Sequence, residues 1–298
     1  MSIILTLVAS HKKKPLKKSH IKTVSKLLHY YNMEIIEKPV WLAKKKAVDL
    51  HLNADTGGVM LMHMRDEMNA DEIDVFLTSA ADRRKKLVLA DMDSTIVAEE
   101  TLDELAAHAG LKDQISEITA RAMNGELDFH AALNERVGLL KDLSTQALDE
   151  TLAQTQINQG AQTFIQTMAA YGAHCVLVSG GFTFFTGAIA EAVGFHDHHG
   201  NTLEIANGAL TGKVIPPILD KHAKVEFLKQ HLSKLGLGPD EALTIGDGAN
   251  DIPMLKTAGL GLGYKPKPAV ASEIPNLIVH GDLTTALYAQ GFTDKEFA

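Results

Sequence analysis

Two aspartates separated by one residue, Asp91 and Asp93, directly follow the apolar run Leu87–Ala90. An uninterrupted apolar run of this length predicts a short strand that is buried on both faces of a parallel sheet. Open α/β sheets bind their ligands beyond the carboxyl ends of such strands. Unpaired buried carboxylates are costly, so the pair predicts a metal ion or a cationic partner at this position.

Polar residues follow two other apolar runs in the same way. Ser179 and Gly180 come directly after Cys175–Val178, and Asp247 follows Ala242–Ile245 after a single glycine. The carboxyl ends of parallel strands meet at one edge of a sheet, so we expect these residues to lie near the two aspartates.

A lysine and the polar residues at the start of a short helix complete the set of side chains that could take part in a reaction. Lys224 lies in Asp220–Glu226, a segment with helical spacing, and Asn250 and Asp251 follow the third strand at the start of a short helix. By itself, Lys224 would be read as an exposed helical lysine.

Together these segments resemble the four motifs of the haloacid-dehalogenase-like hydrolases, in the same order along the chain. The resemblance runs from about residue 85 to the C-terminus and is closer still to the phosphoserine phosphatases within that superfamily. The stretches that carry it are Asp91–Glu104, Leu127–Lys141, Val178–Phe182, Lys224 and Gly246–Asp251.

The resemblance implies Mg²⁺-dependent hydrolysis of O-phosphoserine to serine and phosphate, the last step of serine biosynthesis. Asp91 is then the nucleophile that forms an aspartyl-phosphate, and Asp93 is the general acid and base. The expected Mg²⁺ ligands are Asp91, the backbone carbonyl of Asp93, and Asp247, all of them hard oxygen donors.

The same resemblance assigns the phosphate-binding residues. Ser179 offers a hydroxyl, Gly180 a backbone N–H and Lys224 a compact positive charge to the phosphate. Asn250 is expected to bind the phosphate or a metal-bound water. Asp251 is expected to hold the surrounding groups in place.

Selection of the substrate is expected to depend on an inserted helical cap. Phosphoserine carries an ammonium and a carboxylate besides its phosphate, and the resemblance matches Glu100 to the ammonium and Arg136 to the carboxylate. Met123 and Phe129 are expected to form the apolar wall and lid of the pocket.

The elements that position these residues follow from periodicity. From residue 160 onward strands and helices alternate, which predicts an α/β fold with a doubly wound parallel sheet, the Rossmann-like core of this superfamily. A helical region at about 101–153 predicts the cap inserted into a domain spanning 84–298. Residues 1–83 show a βαββαβ-like pattern, which predicts an α+β ferredoxin-like domain similar to ACT-like regulatory or dimerisation domains.

Composition limits the class of protein. The chain has 298 residues, 45% of them hydrophobic and 22% charged, and a single cysteine, Cys175, which excludes an internal disulfide framework. No apolar run approaches the roughly 18 residues of a membrane span. We therefore expect a cytoplasmic protein without a membrane partner.

Charge is unevenly distributed along the chain. The net charge is −8, but residues 1–46 hold eleven lysines against two glutamates, which gives +9 there and −17 elsewhere. No aromatic residues are interleaved in the manner of nucleic-acid-binding modules, so a solvated lysine-rich surface is favoured and no nucleic-acid partner is expected.

Three alternatives stay open at this point. The same catalytic residues would serve a phosphotransferase that moves the phosphoryl group from phosphoserine to another alcohol such as homoserine. The second alternative is that the N-terminal domain binds an amino acid or nucleic acid in a non-catalytic role. His196, His198 and His199 could bind a transition metal, but we expect an exposed hairpin loop there instead.

Overall fold

A computed structural model of the chain describes residues 3–10, 14–53, 58–123 and 126–298, which form two β-sheets with their helices. The description covers the backbone alone at residues 58, 59, 120, 122, 123, 129 and 221. Within the described ranges, no helix is both long enough and apolar enough to cross a membrane.

The N-terminal sheet is antiparallel, with strand order β2-β3-β1-β4. Its elements are β1 (Ile3–Ala9), α1 (Lys18–Tyr30), β2 (Val40–Ala43), β3 (Ala47–Leu52), α2 (Gly58–Asn69) and β4 (Ile73–Ser79). This βαββαβ order confirms the predicted ferredoxin-like architecture. Strand β2 begins only at Val40, because charged residues and Pro39, which lacks a backbone donor, precede it.

The second sheet has seven strands in the order β11-β10-β9-β5-β6-β7-β8, all parallel except β8, which pairs antiparallel with β7. This order confirms the doubly wound α/β fold. Its strands are β5 (Leu87–Ala90), β6 (His174–Phe182), β7 (Asp197–Ala206), β8 (Ala209–Ile215), β9 (Ala242–Gly246), β10 (Leu260–Tyr264) and β11 (Asn276–Ile278).

Helices cover both faces of this sheet. Helices also make up most of the chain segment that connects β5 to β6. They are α3 (Thr101–His108), α4 (Lys112–Met123), α5 (Phe129–Leu139), α6 (Gln146–Gln154), α7 (Ala161–Ala170), α8 (Thr183–Val193), α9 (Lys221–Leu235), α10 (Ile252–Thr257), α11 (Pro268–Glu273) and α12 (Thr285–Ala289). Helices α3 to α6 occupy the region where the cap was expected. Their apolar residues, including Leu105, Leu133 and Leu148, join the main core.

Strand β5 lies at the centre of the sheet, between β6 and β9. Its four residues are fully buried, and they alternate between two separate cores: Val88 and Ala90 belong to one, Leu87 and Leu89 to the other. A strand buried on both faces needs apolar residues at every position, which is the pattern that the sequence has. The rigid packing fixes the direction in which the chain leaves the sheet at Asp91.

The expected hairpin loop of exposed histidines is wrong. Residues 197–206 form β7, whose first residues pair in parallel with β6, Val176 opposite Asp197 and Val178 opposite His199. Few of these residues favour strands, so the sequence signal for a strand is weak, and pairing with the neighbouring strand β6 decides the structure.

Buried polar contacts join the two sheets. The guanidinium of Arg83 contacts Asp49 at 2.6 Å and donates to the Thr6 hydroxyl at 2.8 Å, both on strands of the N-terminal sheet. The carboxylate of Asp74, on β4, accepts the backbone N–H groups of residues 279–281 beyond β11. The N-terminal sheet is therefore fixed against the edge of the larger one.

Candidate active site

Asp91 and Asp93 leave the sheet at the carboxyl end of β5. The backbone N–H of Asp91 still donates to the carbonyl of Ile245 on β9, at 3.0 Å, so its position is set by the sheet itself. A tight turn over Met92–Ile96 follows, in which Ser94 adopts a left-handed φ of 54°. This turn directs both carboxylates to the same side of the sheet edge.

Asp91 forms a buried cluster with Lys224 and Asp251. The lysine Nζ lies 2.6 Å from a carboxylate oxygen of each aspartate, and the three side chains are at most 7% exposed. Burial lowers the pKa of Lys224, but the carboxylates of Asp251 and Asp91 more than reverse this, so the pKa is raised and the lysine stays charged. Burial and the neighbouring Asp251 raise the pKa of Asp91, because two carboxylates share one ammonium.

Three carboxylates at this point could hold a divalent metal ion. Asp91, Asp247 and Asp251 each offer an oxygen, and these oxygens lie within 4.8 Å of one another. The excess of negative charge over Lys224 and the hard oxygen donors suit a divalent cation. Of the predicted ligands, the structure brings Asp91 and Asp247 together. It adds Asp251, which had been expected only in a supporting position.

Asp93 is held by the end of β6 and the start of α3. One carboxylate oxygen accepts the Ser179 hydroxyl at 2.9 Å, and the other accepts the backbone N–H of Thr101 at 2.8 Å. Burial, followed by the charge of Glu100, raises the pKa of Asp93 to about 6, although these hydrogen bonds oppose the shift. A carboxyl group with this pKa can both give and take a proton near neutral pH.

The last part of β6, residues 179–181, loops out of register with β7 and presents polar groups toward the same cleft. The Ser179 hydroxyl also accepts the backbone N–H of Gly181, at 2.8 Å. The carbonyl of Gly180 is turned away from the cleft to accept from the Asn201 amide at 2.7 Å. These contacts fix the loop before any ligand arrives, which favours binding of an anion at this point.

Glycine at 246 allows the acidic cluster to approach the end of β9. A Cβ atom at this position would lie 2.5 Å from a carboxylate oxygen of Asp251. Asp251 is also held by the backbone N–H of Gly248 at 3.1 Å. Asn250, next to it, is exposed and lines the cleft, as its predicted contact with a ligand requires.

The two predicted specificity residues both line the cleft from the cap side. Glu100 is half exposed and accepts the Ser94 hydroxyl at 2.9 Å. Burial lowers the pKa of Arg136, an effect opposed by Asp103 and Glu100, and its Nε donates to the carbonyl of Ala132 at 3.2 Å. The side chains of the other two predicted cap residues, Met123 and Phe129, lie outside the described part of the structure.

Sequence reasoning missed Lys267. Its Nζ lies 3.0 Å from Asp247 and 3.4 Å from Glu100, and its backbone N–H donates to the carbonyl of Asp247. The residue stands between two prolines just after β10, so a signal was available: a charged residue beyond the carboxyl end of a parallel strand. The prolines hold the backbone extended there, at φ −64° and ψ 156°.

The cleft that these residues surround has a volume of about 150 Å³. Larger cavities of about 630 and 1130 Å³ lie against the N-terminal sheet, away from the acidic cluster. Pockets for drug-sized ligands hold roughly 300–1,000 Å³, so the cleft fits a small metabolite better than a large one. The arrangement places a carboxylate paired with a fixed lysine, an acid of raised pKa and a set of carboxylates that could hold a cation around this small volume.

Three comparisons with known proteins bear on this site. The family model of haloacid dehalogenase-like hydrolases matches residues 88–256. A phosphoserine phosphatase of Lactococcus lactis is 42% identical over 213 residues, covering 71% of this chain and 99% of that protein. A phosphoserine phosphatase of Streptomyces coelicolor is 40% identical over 214 residues, covering 72% of this chain and 52% of that protein. The chain thus spans about half the length of the Streptomyces relative.

Among solved structures, a HAD family hydrolase of Salmonella enterica serovar Typhi has a similar fold throughout. It superposes with a TM-score of 0.86, at 26% identity, and the match covers 97% of this chain and 98% of that one. The similarity therefore includes the N-terminal sheet as well as the larger domain.

Proposed function

Because this chain belongs to the haloacid dehalogenase-like hydrolase family, we propose that it is a phosphatase that hydrolyses O-phosphoserine to serine and phosphate. The observation that carries the proposal is the convergence of Asp91, Asp93 and Lys224 on one small cleft beneath a cap. The relatives named phosphoserine phosphatase support the choice of substrate.

In the first half of the reaction, Asp91 attacks the phosphorus atom of the substrate. A phosphorus–carboxylate bond forms as the bond from phosphorus to the serine oxygen breaks, and Asp93 gives its proton to the departing oxygen. Lys224 keeps the Asp91 carboxylate oriented and adds positive charge beside the phosphate. The Ser179 hydroxyl and the Gly180 N–H bind the phosphate oxygens.

In the second half, Asp93 acts as the base. It takes a proton from a water molecule that attacks the aspartyl-phosphate, which releases phosphate and restores Asp91. The pKa of about 6 suits both roles, since neither the protonated nor the ionised form of Asp93 is rare near neutral pH.

We propose Mg²⁺ as the metal, bound by Asp91, the backbone carbonyl of Asp93 and Asp247, with Asp251 beside them. When bound, Mg²⁺ supplies positive charge that offsets the repulsion between the attacking carboxylate and the phosphate. Lys267 lies against Asp247 and partly neutralises the acidic cluster.

The cap supplies the selectivity in this proposal. Arg136 binds the carboxylate of phosphoserine, and Glu100 binds its ammonium. The ammonium of Lys267 lies 3.4 Å from the Glu100 carboxylate and holds the Glu100 side chain in the cleft.

The direct test is phosphate release from O-phosphoserine compared with a panel of small monoesters, with Mg²⁺ and after chelation. We expect O-phosphoserine to be the best substrate and chelation to remove the activity. Equally fast release of phosphate from phosphoethanolamine or phosphoglycerate would contradict the assignment of O-phosphoserine as the substrate. Measuring phosphorylated acceptor when homoserine is added separates hydrolysis from the phosphotransferase alternative, which the relatives do not favour.

We propose residues 84–298 as the phosphatase domain, with the cap at about 101–153, and residues 1–83 as an ACT-like regulatory or dimerisation domain in a cytoplasmic homodimer. The edge strand β2 supports dimerisation, because it exposes Val40 and Trp41. Analytical ultracentrifugation of the full chain tests it. A Trp41→Lys variant should dissociate the dimer without loss of fold.

A further inference from the structure

A cluster of histidines lies on one face of the large sheet, and none of its members lines the catalytic cleft. His174 starts β6, Asp197 and His199 lie on one face of β7, and His231 comes from α9, which packs on that face. His174 is five residues, or about 16 Å, from Ser179 along β6, whereas His199 is paired opposite Val178, the residue before Ser179. None of these residues has a part in the proposed reaction.

The nitrogen and oxygen atoms of this cluster converge. The Nε2 atoms of His199 and His231 are 3.1 Å apart, and the Nε2 of His231 is 3.9 Å from a carboxylate oxygen of Asp197. His174, Asp197 and His231 each offer a ligand atom within 4.8 Å of the other two. Ligands at 2.0–2.1 Å in a tetrahedral zinc site are about 3.3 Å from one another, so small side-chain rotations would complete such a site.

Some ring nitrogens of this cluster have no hydrogen-bond partner among the described residues. His231 is only 5% exposed, and the contact with His199 can share one proton between two ring nitrogens. Among the described residues, the buried Nε2 of His174 and Nδ1 of His231 find no hydrogen-bond partner. Buried polar atoms of this kind call for a ligand or an ion.

The rings are also held in place and in the right protonation state. His174 stacks on His196, with ring centroids 5.0 Å apart, and His199 stacks on Phe227 at 3.9 Å. Burial lowers the pKa of His174, His199 and His231, so all three are neutral near pH 7. Neutral imidazole is the form that binds a metal.

We propose that His174, Asp197, His199 and His231 bind a divalent transition-metal ion, with zinc as the ion that these donors fit best. Imidazole nitrogens with one carboxylate are donors that zinc accepts and that Mg²⁺ binds poorly. The ion ties β6 and β7 to α9. It therefore acts on the helix that carries Lys224, which is seven residues, or about 10 Å, from His231 on the same side of α9. The site serves to position that helix and takes no part in catalysis.

Cobalt spectroscopy on the full chain tests the proposal. The protein is stripped with a chelator, saturated with Mg²⁺ to fill the carboxylate centre, and titrated with Co²⁺ and then Zn²⁺. We expect one equivalent of Co²⁺ with the intense visible absorption of a four-coordinate ion, displaced by Zn²⁺. His174→Gln and His231→Gln should each weaken binding at least about 100-fold.

His198→Gln is the matched control. His198 lies on the same strand, but its ring turns to the other face and contacts Thr186 at 2.9 Å, so this variant should bind Co²⁺ normally. Asp247→Asn should also keep the absorption band, because it alters only the catalytic carboxylates. Loss of the band in Asp247→Asn, or equal binding by His174→Gln and His198→Gln, would overturn the site. His174 is partly exposed at the start of β6, so we expect His174→Gln to fold. If His231→Gln fails to fold, Co²⁺ binding by His174→Gln decides whether the site exists.

Discussion

Asp93 is the residue whose ionisation most directly reports on the site. Burial raises its pKa from 3.8 to about 6, so between about pH 4 and 6 the folded protein holds a proton that the unfolded chain has lost. Unfolding then releases a proton, and the stability contributed by this group is full below pH 4 and is lost as the pH rises to 6. The loss amounts to roughly 2–3 kcal/mol.

For the metal-free protein we therefore predict that the free energy of unfolding falls more steeply between pH 4 and 6 in the wild type than in Asp93→Asn. The variant is neutral throughout this range, so the slope should differ by about one proton. Urea unfolding at several pH values, in the presence of a chelator, measures it. Identical slopes would mean that Asp93 is not held as the geometry implies.

Asp91 permits a second test at the scale of one side chain. Asp91→Asn removes the nucleophile but leaves Lys224 paired with Asp251, so we expect turnover of O-phosphoserine to fall at least about 10⁴-fold while the fold is kept. Phosphate release and circular dichroism measure the two effects. Asp113→Asn, on the exposed surface of α4, is the control and should keep full activity. A nearly normal rate in Asp91→Asn would show that Asp91 is not the nucleophile.

Asp91, Asp93, Ser179 and Asp247 could be expected at one edge of the sheet because each follows an apolar strand, whereas Glu100, Arg136 and Lys224 were assigned through the family resemblance. What the sequence could not supply is their pairing. Asp251 was expected to hold the surrounding groups in place, but its partner, the Lys224 ammonium at 2.6 Å, could not be named from the sequence. Lys267 was overlooked, because its role depends on β10 lying beside β9, and strand order is not written locally in the chain.

At the scale of elements, the end of β9 depends on the absence of a side chain at Gly246. Gly246→Ala would force a Cβ to within 2.5 Å of the Asp251 carboxylate and so displace the acid that holds Lys224. A shift of about 1 Å in a catalytic group costs about 100-fold in rate, and we expect at least that loss in kcat/KM. Gly138→Ala, where the added Cβ meets nothing within 4 Å, should keep the rate.

The cap helices supply the next prediction. Arg136→Ala on α5 should lower kcat/KM for O-phosphoserine about 10- to 100-fold more than for phosphoethanolamine, which has no carboxylate to bind. Steady-state kinetics on both esters give the ratio. Arg121→Ala, on the cap surface where Arg121 pairs with Glu135, is the control and should not change it. Equal losses on both esters in Arg136→Ala would contradict the assignment of the cap.

Elements were predictable where a single physical signal dominated. Strand β5 and the stretches 175–178 of β6 and 242–245 of β9 are almost wholly apolar, and the sequence marked them clearly. Strand β7 has none of this, since it begins with Asp197, two histidines and a glycine. It is a strand because β6 offers it an edge to pair with, which is a property of the assembled sheet.

At the scale of the whole molecule, Arg83 is one of the polar links between the N-terminal sheet and the larger domain, because it contacts Asp49 and also donates to the carbonyl of Ala289. Arg83→Met would leave the carboxylate of Asp49, which is 3% exposed, buried without its partner. Breaking such a pair costs about 3–5 kcal/mol, and we expect a loss of that size in the free energy of unfolding. Urea denaturation of the full chain measures it.

Arg84→Met is the matched control for this prediction. Arg84 is the next residue, but its ion pair with Glu296 is partly exposed, and such pairs contribute at most about 1 kcal/mol. Losses of equal size in the two variants would contradict a buried link. Neither contact was predictable from sequence, because the partners of Arg83 lie far away along the chain and no periodicity relates them.

The central place of β5 has a consequence for the newly made protein. Its two neighbours, β6 and β9, both come later in the chain, and β9 ends only at Gly246. A nascent polypeptide that has left the ribosome up to α9 already contains Asp91, Asp93, Ser179 and Lys224, but one side of β5 has nothing to pair with. We expect arrested translation products of this length to be inactive, and activity to appear in one late step, when the third strand emerges.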